Sequence, residues 1–296
     1  MRVRLTAVLV AVLVLAAGCA RTPQGVDKDL VDDWAMMAAA KVPEPEPGDC
    51  WTTQSSRIGD IAASPVAVVQ TPCEMSHVAE TAYVGQFTGA LADADRAPSA
   101  DGMAETYKAC DAQVATFLGG SWQDSRLRMI VYPPTTTQWR GGARFYRCDV
   151  AALRTERGIL DPRTQTLKGA LQSGGELLLG CGSKVETGGN WTDVDPAACT
   201  APHDTEFVGV VAAAGAVYPA DAKARSAAWG TGCLNKIRSY TGMPDSTLAK
   251  AKAGSGYWQI ALSQDEWKAG NRSARCYVTL PKKITRSLKG AGNITI

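Results

Sequence analysis

The chain contains only two histidines, and both lie in the same short motif. One copy reads Cys73-x3-His77-x2-Glu80, and the other reads Cys199-x3-His203-x2-Glu206. Thiolates, imidazoles and carboxylates all bind zinc, and a free cysteine beside a histidine can act as a nucleophile. The motif is therefore the first place to look for a metal site or a catalytic site.

Three interpretations of this motif are open. We favour a structural one, in which buried His77–Glu80 and His203–Glu206 hydrogen bonds fix the loop that enters a strand. In the second, each motif binds a metal ion, or the two motifs share one across a domain interface. In the third, an exposed imidazole contacts a ligand. Cysteine catalysis would need a free thiolate at Cys73 or Cys199, and the even cysteine count described below argues against it.

A second duplicated motif combines tryptophan with arginine. It reads Trp139-Arg140-x-Gly142-x-Arg144-x-x-Arg147-Cys148 and Trp267-Lys268-x-Gly270-x-Arg272-x-x-Arg275-Cys276. The indoles could stack on sugar rings, and the guanidinium groups could bind carboxylates or phosphates of cell-wall polymers. We favour a structural interpretation, in which the tryptophans cover the core from a turn. The arginines then point outward or pair with acids of their own domain.

Other signatures of catalysis are absent from the sequence. It has no Gly-x-Ser-x-Gly elbow, no phosphate-binding Gly-x-x-x-x-Gly-Lys loop and no dinucleotide fingerprint. The 31 basic and 29 acidic residues nearly balance, so no basic field is available to hold a nucleic acid. We therefore predict a protein that is not an enzyme, with no cofactor, no resident metal and no nucleic-acid partner.

The N-terminus is typical of an exported lipoprotein. Arg2 and Arg4 precede an apolar run over residues 5–17, which is short for a membrane span but suits a signal peptide. Small residues then precede Cys19, as in a bacterial lipobox. We predict a signal peptide at residues 1–18 and lipid attachment at Cys19, which would anchor the protein to the extracytoplasmic face of the cell membrane. An ordinary secretory signal is the alternative.

The remaining eight cysteines predict four disulfides in an oxidising compartment. They are Cys50, Cys73, Cys110, Cys148, Cys181, Cys199, Cys233 and Cys276. A turn signal lies midway between the first two, and Gly188-Gly189-Asn190 lies midway between Cys181 and Cys199, so a hairpin would join each pair. By elimination the other pairs are Cys110–Cys148 and Cys233–Cys276. Four cysteines allow three connectivities in each domain, so the pairing is a hypothesis.

The chain contains an internal repeat of about 120 residues. Both motifs above, the third and fourth cysteines of each set, and a closing Thr-x-(Thr/Ser)-Leu-Lys-Gly-Ala segment recur in the same order. We predict repeat 1 at residues 48–171, a linker at 172–175, repeat 2 at 176–292 and a tail at 293–296. Residues 19–47 would form a lipid-anchored stalk with a short helix around Trp34 and a Pro-rich spacer.

The fold class that we predict is α+β, with two tandem small domains. Each domain would pack one helix on a short antiparallel sheet and be stapled by disulfides. The helices are expected at residues 102–118 and 220–240. The first strand of the second domain is expected to begin near residue 177. A Trp-containing turn is expected before the last strand of each domain.

These motifs resemble the actinobacterial septum-formation domain. Gly48-Asp49-Cys50, Pro72-Cys73-x3-His77-x2-Glu80, the Trp–Arg motif and the closing Leu-Lys-Gly-Ala carry the resemblance, which covers most of residues 48–291. Repeat 2 matches the histidine motif more closely, with Pro202 where repeat 1 has Ser76. The resemblance implies a division-related protein of the cell envelope, and it brings no catalytic residues with it.

Together these observations predict a membrane-anchored, extracytoplasmic lipoprotein that acts as a non-enzymatic binding or scaffolding module in envelope growth or septum formation. Its partners would be the membrane, through the lipid anchor, and an envelope or division protein or a cell-wall polymer. Two alternatives are a glycopolymer hydrolase or transferase that uses His, Glu and Trp, and a metal carrier.

Overall fold

The computed structural model describes residues 41–293, except residues 157, 173, 174 and 262. The described residues belong to one compact unit. They form two five-stranded antiparallel sheets with helices and four disulfides, which confirms the predicted α+β class. The predicted signal peptide, Cys19, the helix around Trp34, the centre of the linker and the end of the tail lie outside the described residues. Within the described part, no helix is both long and apolar enough to cross a bilayer.

The first half of the unit carries one sheet with strand order β2-β1-β3-β5-β4. Every neighbouring pair in it is antiparallel. Its elements are β1 (Cys50–Thr52), α1 (Ile58–Ala62), β2 (Val69–Thr71), β3 (Ala79–Gln86), α2 (Ala104–Leu118), β4 (Leu127–Tyr132), α3 (Thr136–Arg140) and β5 (Phe145–Ala152).

The second half repeats this topology with the order β7-β6-β8-β10-β9. The agreement in strand order fits the internal repeat. Its elements are β6 (Cys181–Thr187), β7 (Asn190–Pro196), β8 (His203–Ala212), α4 (Ala222–Arg225), α5 (Thr231–Thr241), α6 (Asp245–Lys250), β9 (Gly254–Gln259), α7 (Gln264–Lys268) and β10 (Ser273–Ile284).

The main helix of each half packs on its sheet through residues spaced four apart. In α2 the buried face carries Cys110, Val114 and Leu118, which share one side of a helix. The helix ends at Gly119, whose backbone is left-handed at φ +74°. This conformation suits glycine, and it stops the helix where the sequence predicted.

The helix expected at residues 220–240 is confirmed as a continuous helical run at 222–241, in which a π-helical turn at Ser226–Gly230 joins α4 to α5. Two other local predictions were wrong. The Trp-containing turns are one-turn helices, α3 and α7, because Thr135 and Ser263 cap their N-termini. The strand expected near residue 177 begins at Cys181 instead, since Leu177 is buried in the core of the first half.

The four disulfides have the predicted partners. Cys50–Cys73 and Cys181–Cys199 tie the first strand of each sheet to the loop before its third strand. Cys110–Cys148 and Cys233–Cys276 tie the main helix of each half to the last strand. Each half is therefore stapled separately, and no described disulfide joins the halves.

Candidate functional site

Both histidine motifs are buried at the start of the third strand of their sheets. His77 and His203 are 2% and 0% exposed, and Glu80 and Glu206 are buried beside them. Sheet register places Cys50 opposite Glu80, and Cys181 opposite Glu206. Each glutamate therefore lies beside a cysteine of the first strand, and that cysteine is disulfide-bonded to the cysteine of the motif.

The glutamates bind the closing segment of their own repeat. Glu80 accepts hydrogen bonds from the Thr166 hydroxyl and the Leu167 amide, at 2.7 and 2.6 Å. Glu206 accepts the equivalent bonds from Ser287 and Leu288, at 2.8 and 2.7 Å. The histidine motif and the closing segment of each repeat are thus bonded to each other. A carboxylate on the third strand holds the end of the repeat against the sheet.

The predicted His–Glu hydrogen bond is confirmed in the second half only. His203 Nε2 lies 3.0 Å from Glu206 Oε1. In the first half, His77 Nδ1 faces the Met75 carbonyl at 2.9 Å, and His77 Nε2 has no hydrogen-bond partner among the described residues. The prediction for His77 and Glu80 was therefore wrong.

The tryptophans of the Trp–Arg motif are structural. Trp139 and Trp267 are buried, and their indole N–H groups donate to the Ala94 and Ala216 carbonyls. The guanidinium of Arg144 stacks on Trp139 at 4.0 Å. Buried indoles leave no face for a sugar ring, so the stacking alternative does not fit this structure.

Arg144 and Arg272 serve this packing. Arg144 also donates to the Ala92, Trp139 and Ala143 carbonyls. Arg272 donates to the Trp267 carbonyl at 3.4 Å, and its own carbonyl accepts from Trp229. Both arginines therefore hold the loop that carries the tryptophan.

Arg275 joins the two halves. It forms a buried ion pair with Glu156 of the first half, and it donates to the Gln123, Ser125 and Leu127 carbonyls. The expectation that each arginine pairs within its own domain was therefore wrong here. In the second half, the duplicated arginine therefore forms contacts with the first half instead of with its own domain.

Arg147, the counterpart of Arg275, lies over aromatic rings instead. Its guanidinium carbon is 3.7 Å from the Trp51 ring centroid and 4.8 Å from that of Tyr132. Its Nε forms an ion pair with Asp149 at 2.9 Å. The residue is 6% exposed, yet its Nη2 has no hydrogen-bond partner among the described residues.

A buried relay holds this arginine in place. The Trp51 indole donates to the Thr81 hydroxyl, which in turn donates to Asp149 Oδ1, both at 2.8 Å. Burial raises the pKa of the Asp149 carboxyl to about 6, although the Arg147 charge and the Thr81 hydrogen bond oppose that rise.

Arg147 is one of the residues that line a cleft of about 480 Å³ on the first half. Trp51, Tyr132, Phe145 and Arg147 contribute to its lining. Its other lining groups are prolines, amides and carboxylates, among them Pro43, Pro65, Pro133, Gln70, Gln138, Glu44, Glu46 and Asp49. The Pro-rich segment that was predicted to be a spacer thus forms one wall of the cleft.

The histidines do not belong to this cleft. Neither they nor their glutamates line it, or either of the two other clefts, of about 310 and 530 Å³, that include residues of both halves. The larger of these two contains Ala62, Met103 and Met129, and its charged lining residues, Asp265 and Glu266, are both acidic. The smaller one includes Arg126, whose guanidinium donates to the Leu153, Arg154 and Glu176 carbonyls.

A family model described as Septum formation matches residues 47–276. The chain belongs to the Septum formation family. The match includes residues of both sheets, so the Septum formation family model covers most of the duplicated unit. No curated protein and no solved structure matches the chain. The family places the chain among septum-formation domains, and the four disulfides are consistent with an extracytoplasmic location.

Sequence reasoning on this Septum formation family chain missed the cleft. Arg147 was singled out, but Trp51, Thr81 and Asp149 were not. One signal was available: Asp149 of the first repeat aligns with Tyr277 of the second, next to an otherwise identical Arg-Cys pair. A difference of charge beside a repeated arginine indicates that the two copies have diverged in role.

Proposed function

We propose that this protein is a non-enzymatic binding module of the cell envelope, anchored through a lipid on Cys19, which holds a cell-wall glycopolymer during septum formation. The observation that carries the proposal is that Arg147, whose Nη2 has no hydrogen-bond partner among the described residues, is one of the residues that line an open cleft. The guanidinium of its counterpart, Arg275, donates its hydrogen bonds to Glu156 and to backbone carbonyls of the first half. A buried charged donor without a partner is costly, and a ligand oxygen would satisfy it.

The composition of the cleft favours a sugar unit. Its volume of about 480 Å³ is in the range of small-molecule sites, while a protein partner usually needs about 800 Å² of surface on each side. The amides of Gln70 and Gln138 and the carboxylates of Glu44 and Asp49 suit the hydroxyl groups of a sugar. Three acidic residues around one arginine disfavour a polyanion.

Two observations support the absence of catalysis. All eight described cysteines are in disulfides, so none of them supplies a thiolate. Both imidazoles are buried outside the clefts, so neither can reach a substrate without rearrangement. The hydrolase alternative would need both of these features to change.

Cosedimentation of the purified chain with protein-free cell-wall polymer tests the proposal. We expect Arg147→Gln to weaken binding about tenfold or more, because a hydrogen bond to a charged group contributes about 1.5–3 kcal/mol. Arg154→Gln, which removes an exposed arginine of the same half, should bind as the unmodified chain does.

A second variant separates loss of binding from loss of folding. Gln70→Trp adds bulk at the cleft without touching the Arg147–Asp149 pair, and it should also abolish binding. Equal binding by these variants and the unmodified chain would overturn the proposal. Cross-links from the cleft to protein alone would favour a division protein as the partner instead.

A further inference from the structure

Each half places a cysteine, a histidine and a glutamate in one buried cluster. Donor atoms of Cys50, His77 and Glu80 all lie within 4.8 Å of one another, as do those of Cys181, His203 and Glu206. The ladder pairing of Cys50 with Glu80 creates this arrangement, because opposite residues on antiparallel strands bring their side chains together. These three donor types are the ones that zinc prefers.

The two clusters differ in how completely their polar atoms are used. Glu206 accepts hydrogen bonds from Tyr240, Ser287 and Leu288, and its Oε1 also lies 3.0 Å from His203 Nε2. Glu80 accepts two, from Thr166 and Leu167. The first repeat has Phe117 where the second has Tyr240, so the hydroxyl that helps to saturate Glu206 is missing there.

The tautomer of His77 follows from its neighbour. The Met75 carbonyl can only accept, so the Nδ1 that faces it at 2.9 Å carries the proton. The other nitrogen, Nε2, then presents a lone pair, and it is the one without a partner among the described residues. A histidine that donates one N–H to a backbone carbonyl and turns its free nitrogen toward a ligand is the usual arrangement in zinc sites.

The Cys50–Cys73 disulfide closes the cluster to metal. A disulfide sulfur is a poor zinc ligand, whereas a thiolate is a strong one. Cys73 is partly exposed, so a reductant can reach this bond from solvent. Exchange with two thiols of a dithiol reductant would give two cysteine thiols and an oxidised reductant, and zinc would then displace the two thiol protons.

We propose that reduction of Cys50–Cys73 opens a zinc site made by Cys50, Cys73, His77 and Glu80. The second half forms no such site on reduction of Cys181–Cys199, because His203 and Glu206 already satisfy each other. This site is independent of the cleft described above. It makes the first half sensitive to thiol reductants and to zinc together.

Cobalt and zinc titrations of the full chain test this proposal. After mild treatment with a phosphine reductant, we expect one equivalent of cobalt to give the absorbance of a tetrahedral cobalt–thiolate centre, and one equivalent of zinc to displace it. The oxidised chain should show neither effect. His77→Ala should lose the signal, and His203→Ala, the matched change in the second half, should keep it.

A further variant guards against misfolding of His77→Ala. Phe117→Tyr copies the second half by adding a hydroxyl beside Glu80, and it should weaken zinc binding at least tenfold while the chain stays folded. Two equivalents of bound metal, an unchanged signal in His77→Ala, or no thiolate absorbance after reduction would each overturn the proposal.

Discussion

Arg275 and Glu156 form a buried ion pair between the two halves, with Nη1 and Oε2 2.7 Å apart. Glu156 also accepts from the Tyr277 hydroxyl at 2.7 Å. Burial and the Glu156 charge raise the pKa of that tyrosine well above its ordinary value, which keeps the hydroxyl a donor. One carboxylate thus binds two residues of the opposite half, and the docking of the halves depends on it.

Glu156→Gln should reduce the free energy of unfolding by about 3–5 kcal/mol, because it leaves the Arg275 charge buried without its counter-ion. Urea denaturation followed by tryptophan fluorescence measures the change. The control is Asp245→Asn, which breaks the exposed Arg238–Asp245 pair and should leave the free energy of unfolding almost unchanged. Equal effects of the two substitutions would contradict the assigned role of Glu156.

Glu206→Gln should destabilise the chain more than Glu80→Gln does. Three donors and the His203 ring face the Glu206 carboxylate and two donors face Glu80, and an amide in either place turns a donor toward donors. We expect a loss of about 3 kcal/mol for Glu206 and about 2 kcal/mol for Glu80. Thermal unfolding measures the loss of stability in each variant. A larger loss for Glu80→Gln would show that the number of hydrogen bonds to the carboxylate does not determine the stability here.

The disulfides should be reduced in two stages. Cys73 and Cys199 are partly exposed, whereas Cys110, Cys148, Cys233 and Cys276 are fully buried. A mild reductant should therefore open Cys50–Cys73 and Cys181–Cys199 first. Alkylation followed by peptide mass mapping reports the order, and urea-denatured protein, in which all four bonds are accessible, provides the comparison.

The pH dependence of stability should carry the signature of Asp149. Its pKa is about 6 in the fold against an ordinary value of 3.8, so between those values the folded chain holds a proton that the unfolded chain has released. The resulting stabilisation is complete below about pH 4 and is lost as pH rises through 6. Two pKa units correspond to about 3 kcal/mol.

Asp149→Asn tests this dependence. The variant cannot titrate, so its free energy of unfolding should fall less than that of the unmodified chain between pH 4 and 6. Asp195→Asn, at an exposed position, should follow the unmodified chain. Parallel pH profiles for Asp149→Asn and the unmodified chain would exclude the buried carboxyl as the source.

The sequence was most informative where the two repeats agree. Matched motifs and the turn at Gly188-Gly189-Asn190 were enough to predict the disulfide partners and the α+β class, since cysteine position and turn position constrain the same hairpin. Matching indicates which residues are equivalent, but it does not show what each of them contacts. The bonds from Glu80 to Thr166 and from Glu206 to Ser287 therefore went unpredicted.

The sequence was least informative where the repeats diverge. Arg147 and Arg275 occupy the same place in their motifs, yet one faces a cleft and the other crosses to the opposite half. What separates them is their surroundings: Asp149 holds Arg147 within the first half, while Glu156 draws Arg275 across. Asp149 lies two residues beyond Arg147 on the same strand, whereas Glu156 is distant from Arg275 in the sequence, so only the second pairing is beyond the reach of a local pattern.

In every disulfide described here, a cysteine is bonded to the next cysteine along the chain. A polypeptide that is oxidised while it leaves a translocation pore meets its cysteines in that same order. With Cys19 occupied by the proposed lipid, joining the thiols two at a time from Cys50 onward gives the native pattern directly. We therefore expect an oxidase to be sufficient for the maturation of an exported chain, without the reshuffling activity of an isomerase.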